Sequence, residues 1–231
     1  MIPLKDDSAH AHVPIITIAL IAANAAAYFW QLSEAGLYDS AMRGGVIPFE
    51  ILTFQDVGLP ALVPPPFTIF SSMFLHGGFM HVAGNMLFLW IFGNNVEDAL
   101  GRSRFLLFYL FTGVAAALAQ VSTTSGGRDL LVPMIGASGA VSGVLGAYLV
   151  LWPHARILTL IPIFIFIRLV YVPAYVFIGL WFVLQLVPAL IGAKGSGVAF
   201  MAHVGGFVAG YLFVRLTGGR PRWIVPTREW W

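Results

Sequence analysis

Six long apolar runs, parted by polar stretches, leave this chain few ways to fold. They extend from Val13 to Trp30, from about Phe79 to Val96, from Phe105 to about Val121, from Met134 to Trp152, from Pro173 to about Leu190 and from Ala199 to Leu216. Runs of about 18 apolar residues suit a hydrocarbon core of about 30 Å. Charged residues make up 10% of the 231 positions and hydrophobic ones 59%, whereas soluble domains carry about 25% charge. The reading is one integral membrane domain, residues 1–231, with a core from about Val13 to Leu216 and polar tails at 1–12 and 217–231. Ala23-Asn24-Ala25 resembles a signal-peptide cleavage site. The run before it lacks a positive leader and continues through Tyr28-Phe29-Trp30, so a span is expected there.

The remaining segments follow from that frame. Gln31 to Phe67 mixes Glu34, Asp39, Glu50 and Asp56 with apolar patches and Pro64-Pro65-Pro66, which suits a loop against the bilayer surface. Ile157 to Ile167 is apolar but broken by Pro162 and ended by Arg168. It is too short to span and is expected at the interface or against the bundle. The chain has no cysteine, which excludes disulfides, a thiol nucleophile and thiolate metal sites. A net charge of +2 gives no reason to expect a nucleic-acid partner.

Six spans put both termini on one side. Lys5, Arg102, Arg104, Arg156, Arg168, Arg215, Arg220, Arg222 and Arg228 fall on that side, and Arg43, Arg128 and Lys194 on the other. The excess of basic residues on the terminal side predicts N-in, C-in. The second, fourth and sixth spans then all begin at the outer face. At about 1.5 Å per helical residue, Ser138 lies roughly 21 Å, His203 roughly 18 Å and His81 roughly 24 Å above the inner ends of their spans. A serine and two histidines from three helices thus share one layer.

Each of these residues has a plainer explanation: polar side chains in spans serve helix packing, and small residues serve close approach. Those explanations do not predict a common depth. His203, Gly206 and Gly210 fall on one helical face, and Ser138, Ser142 and Gly146 form a small-residue stripe. Such faces let a serine come within reach of a histidine on another helix, as activation of a nucleophile requires. His81 and Asn85, at i and i+4, can both donate to an oxyanion. Ser138 opens its helix, where free N–H groups favour negative charge. None of the ten carboxylates, Asp6, Asp7, Glu34, Asp39, Glu50, Asp56, Glu97, Asp98, Asp129 and Glu229, lies at that depth. A serine hydrolase built here is expected to run on a Ser–His dyad.

At these residues the chain resembles the rhomboid intramembrane serine proteases. The matching elements are Gly136-Ala137-Ser138-Gly139, His76-Gly77-Gly78-Phe79-Met80-His81-Val82-Ala83-Gly84-Asn85 and Ala202-His203-Val204-Gly205-Gly206-Phe207-Val208-Ala209-Gly210. The resemblance implies an all-α membrane protein, a six-transmembrane-helix bundle, with a water-filled cavity open to the outside. It implies a serine-type endopeptidase with Ser138 as nucleophile and His203 as general base and then acid. His81, Asn85 and the Ser138 N–H would form the oxyanion hole. No cofactor and no metal are implied. The implied substrates are single-span membrane proteins that enter near the fifth span and are cut close to the membrane. The expected location is the plasma (inner) membrane of a prokaryote. The chain departs from some members at Ser142, where they carry a tyrosine packed on the catalytic histidine, and at Phe67-Thr68, where they carry Trp-Arg. Two rivals belong to other classes. A silent relative that binds membrane clients would not need both Ser138 and His203. A channel or metal carrier on His76, His81 and His203 would call for acidic partners along its path, and the spans hold none.

Overall fold

The structure is a computed structural model and describes residues 1–8, 12–57, 59–163, 166–192 and 198–218. Lys194 with the Gly-rich loop around it, and Arg220, Arg222, Arg228 and Glu229 of the C-terminal tail, lie outside the described residues.

Most of the chain is helical. In order come β1 (Ile2–Asp6), α1 (Ile15–Trp30), α2 (Leu37–Gly44), α3 (Pro48–Thr53), α4 (Pro65–Ser71), α5 (Phe79–Phe88), α6 (Asn94–Leu100), α7 (Arg102–Thr123), α8 (Ser138–Leu151), β2 (Arg156–Ile163), β3 (Phe166–Pro173), α9 (Ala174–Leu190) and α10 (Phe200–Thr217). A π-helical turn, Leu89–Gly93, joins α5 to α6. Three helical stretches have the length and composition to cross a bilayer: Ile15–Ser33, Arg102–Thr123 and Phe200–Thr217. A fourth is a pair, Pro65–Phe74 and Phe79–Leu100, bent by 82° at the break that carries His76. The apolar helices α8 and α9 are shorter, at 14 and 17 residues.

The expectation of an all-α protein needs correction. β1, β2 and β3 form a three-stranded antiparallel sheet in that order, with Ile2 facing Leu160 and Arg156 facing Pro173. The apolar segment from Ile157 is therefore half of a hairpin. Its isoleucines and the Val170-Tyr171-Val172 run of β3 are residues that favour a pleated surface. Part of the expected N-terminal tail, Ile2 to Asp6, is a strand whose partner is over 150 positions away, a pairing that no local pattern announces.

α8 stands at the centre, with Gly139 to Tyr148 all buried. It packs closely on α7 and α10 because side chains are missing where the backbones meet. A Cβ on Gly206 would run into the Gly139 carbonyl, one on Gly210 into that of Gly143, and one on Gly146 into that of Phe207. This is how membrane helices gain contact where burial of apolar surface gives little. Around this spine lie Phe92, Phe105, Phe108, Tyr109, Leu145, Tyr148 and Phe177.

One end of the bundle is tied by polar contacts. Glu97 is 3% exposed and accepts the Ile16 and Thr17 N–H groups and the Thr17 hydroxyl, so it caps the first turn of α1 from α6. Tyr148 Oη and Asn95 Nδ2 both donate to Asp6 Oδ2, at 2.5 and 2.9 Å. His12 meets Asp98 at 2.6 Å. Thus β1, the ends of α6 and α8 and the β2–β3 hairpin gather together, and the opposite end is left to the candidate site.

Candidate active site

Ser138 begins α8, directly after a loop that only glycine can complete. Gly136 has φ +125°, and a Cβ there would lie 2.7 Å from His81 Nε2 and 3.6 Å from Ser138 Oγ. There is no room for a Cβ between the loop and His81, and Ser138 Oγ lies close to the same point. The loop is held from three sides. Gly136 N–H donates to Ser72 O at 2.8 Å, Val46 and Met134 exchange bonds of 2.9 and 2.8 Å, and Ala137 N–H makes a long contact of 3.5 Å with His76 Nε2. The long first connection is thus anchored to the residues just before Ser138. Its other end is pinned by Gln31, whose amide brackets the His76 backbone by donating to the carbonyl at 3.2 Å and accepting the N–H at 2.9 Å.

His203 lies in the first turn of α10, which Gln120 of α7 steadies by accepting the Ala202 N–H at 3.2 Å. Its Nε2 is 2.8 Å from Ser138 Oγ. Its Nδ1 is 2.8 Å from Gln185 Oε1 on α9. Trp181, one turn earlier on α9, places its ring centroid 6.0 Å from that of His203. The Ser142 hydroxyl donates back to Ser138 O at 2.6 Å. The imidazole is thus flanked from α9, by Gln185 and Trp181.

His81 and Asn85 stand one turn apart on α5. The Gly77 N–H donates to His81 Nδ1 at 3.4 Å, which leaves Nε2 as the protonated nitrogen on the side of Gly136. His76 packs edge-on against His81 with ring centroids 5.0 Å apart. Asn85 is buried, and its Nδ2 has no hydrogen-bond partner among the described residues. An unmatched buried donor costs about 1–3 kcal/mol, so mere helix glue does not account for it. Beside Ser138 is a cavity of about 40 Å³ whose lining includes Met73, Gly113, Ala116, Gly139 and Ala202.

The four residues picked out in the sequence thus occupy three helices around one loop, and Ser138 and His203 are in direct contact. Gln185 is not among the residues that depth and spacing single out, although an uncharged amide in an otherwise apolar run is itself a signal. The support His76 gives to both His81 and the Ser138 loop is likewise not legible from its place in the motif.

Comparison with known proteins decides the family. The family model described as the Rhomboid domain matches residues 65–220, more than half of the chain. The chain belongs to the rhomboid family. It is 36% identical over 152 residues to Rhomboid protein 1, mitochondrial, of Saccharomyces cerevisiae, covering 63% of this chain and 40% of that protein. It is 28% identical over 207 residues to Rhomboid protease AarA of Providencia stuartii, covering 85% of this chain and 70% of the relative. It is 40% identical over 81 residues to Rhomboid protease GluP of Bacillus subtilis, covering 35% of this chain and 15% of that protein. The chain therefore spans less than half of the yeast protein's length and more of the Providencia one. These rhomboid relatives include mitochondrial and bacterial proteins alike, so they give no support to the expectation of a prokaryotic plasma membrane. What stands is an integral, multi-pass membrane protein of this family.

Proposed function

We propose that this chain is an intramembrane serine endopeptidase that cuts membrane proteins with a Ser138–His203 dyad. The observation that carries the reading is the 2.8 Å contact between Ser138 Oγ and His203 Nε2, two side chains from different helices. In the reaction, His203 Nε2 takes the hydroxyl proton as Ser138 Oγ attacks the scissile carbonyl carbon. The negative oxygen that develops is met by the Ser138 N–H, His81 Nε2–H and Asn85 Nδ2–H, donors in place before charge appears. The imidazolium then gives its proton to the leaving amine. Water, deprotonated by the same nitrogen, releases the acyl group and restores the serine.

The molecule around the dyad has six spans, α1, α5 with α6, α7, α8, α9 and α10, with both termini inside. At 14 residues, α8 is about 21 Å long, short of a core of about 30 Å. Its N-terminus therefore opens below the outer surface, where irregular backbone is tolerated because it lines a water-filled cavity. The substrates are single-span membrane proteins whose helix unwinds locally to present a peptide bond there. Lys5 on β1, Arg102 and Arg104 at the start of α7 and Arg156 on β2 gather at the end away from the Ser138 loop, and this excess of basic residues supports the orientation.

The test is labelling of purified protein in lipid by a fluorophosphonate probe. Wild type labels at Ser138 and is unaffected by EDTA, while Ser138→Ala does not label. Equal labelling of both proteins would overturn the assignment.

A further inference from the structure

We propose that Gln185 is a positioning residue for the reaction, its side-chain carbonyl holding the Nδ1–H of His203 so that Nε2 faces Ser138 as a base. The proposal rests on the Ser138–His203 reading and adds to it a third member from α9.

The chemistry begins with the two nitrogens of a neutral imidazole. One carries the proton and the other the lone pair, and the partner of one sets the role of the other. A base at Nε2 requires the proton at Nδ1, and an Nδ1–H turned into the packing between α9 and α10 requires an acceptor. Among the described residues no carboxylate bonds to His203. The neighbour that Nδ1 does have is Gln185 Oε1, at 2.8 Å. With the amide turned over, its NH₂ would donate to Nδ1 and the proton would move to Nε2. The ring would then be a donor toward Ser138 and unable to take its proton. The two orientations of one amide thus separate a competent site from an incompetent one.

Position supports the role. Gln185 lies one turn after Trp181, so both face α10 from the same side of α9, and Phe182 stacks on Phe207 at 4.3 Å to seat that face. Around Gln185 the other side of α9 turns away: Val183, Leu184, Val187 and Leu190 are exposed. A lone amide on an apolar helix directed at the inside of the bundle, rather than at lipid, needs a polar partner there, and His203 is it. On α5 the titratable side chain on this side is His81, whose Nδ1 accepts the Gly77 N–H and which is therefore neutral. α7, α8 and α9 bring no charged group to the ring among the described residues. Gln185 therefore orients the base with a dipole and adds no charge.

The experiment compares wild type, Gln185→Leu and Gln185→Glu in lipid nanodiscs with a cleavable single-span substrate. It reads kcat and KM against pH, and the ¹⁵N NMR signals of labelled His203. Gln185→Leu should lose about 10–100-fold in kcat with KM nearly unchanged, and its His203 should no longer be held as the Nδ1–H form. The loss should stay below the ~10⁴-fold seen when a serine protease histidine is forced into the wrong tautomer, because leucine frees the ring without reversing it. Gln185→Glu, which can still accept from Nδ1–H, should restore most of kcat and move the acidic limb of kcat/KM to higher pH, since a carboxylate favours the imidazolium. Unchanged kcat and an unchanged Nδ1–H signal in Gln185→Leu would overturn the proposal. So would an acidic limb in Gln185→Glu that coincides with wild type, a readout that survives if the leucine variant fails to fold. Ser138→Ala is run in parallel: turnover there would sink the dyad itself, whereas the His203 tautomer reports on Gln185 alone.

Discussion

At the scale of the residue, the chemistry divides between groups the sequence displays and groups it conceals. Ser138, His203, His81 and Asn85 are visible because polar side chains inside apolar runs are few and their depths can be counted from the span ends. Gln185 is equally polar, but its partner is Nδ1 of a ring whose orientation no spacing encodes. Gly136 is hidden for another reason: its need for a positive φ and for a backbone without a Cβ beside His81 exists only once α5 and the Ser138 loop meet. The oxyanion role proposed for Asn85 has a distinct signature. Removing one such donor costs on the order of 10²–10³ in rate in a serine protease, and His81 with the Ser138 N–H remain. Asn85→Ala should therefore cleave measurably but more slowly, with probe labelling weakened and the acidic limb of the pH profile retained, because His203 must still be neutral to act. Loss of that limb, or collapse of thermal stability in step with activity, would return Asn85 to a packing role.

At the scale of the element, the helices were legible and the sheet was not. Apolar runs read as helices because membrane depth demands that backbone groups be satisfied within the segment. The hairpin is bordered by two such runs, and its strands pair with each other and with the far N-terminus. The β1 strand also sets a pH dependence. Burial holds the Asp6 carboxyl above its ordinary range, against the lowering effect of the Tyr148 hydroxyl. A carboxyl raised in the folded state binds its proton more tightly there than in the unfolded chain, so folding is favoured at low pH. That contribution is lost as pH rises from the usual Asp range, about 3.9, through the raised folded value. Asp6→Asn can still accept from Tyr148 and Asn95. It should flatten this acidic part of the thermal-midpoint profile without unseating β1, as differential scanning fluorimetry in detergent at stepped pH would read. A profile identical to wild type would remove Asp6 as its source.

At the scale of the whole molecule, span parity decided most of what the sequence could say about the site. Counting apolar runs puts the starts of the second, fourth and sixth at one face, and in the proposed topology charge turns that face outward. In the structure the equivalent helices bring Ser138 and His203 into contact. The sequence could not supply the closure of the opposite end, where Glu97 caps α1 and Asp6 reaches Tyr148 across more than 140 positions. The orientation itself is open to test because the chain lacks cysteine. A cysteine at Ser125, between α7 and α8, should react with an impermeant thiol reagent in intact cells, and one at Ser103, at the start of α7, should not. The reverse pattern would turn the bundle over.

The central claim is that Ser138 and His203 act as one unit. The measurement that reaches it most directly is cleavage of a single-span substrate by Ser138→Ala, His203→Ala and the double variant in the same membrane. Groups that form one catalytic device lose their contribution together, so their effects are not additive. Each single substitution should bring turnover to the same floor, and the double variant should be no lower. Substantial cleavage by Ser138→Ala, or losses that multiply in the double variant, would contradict the account.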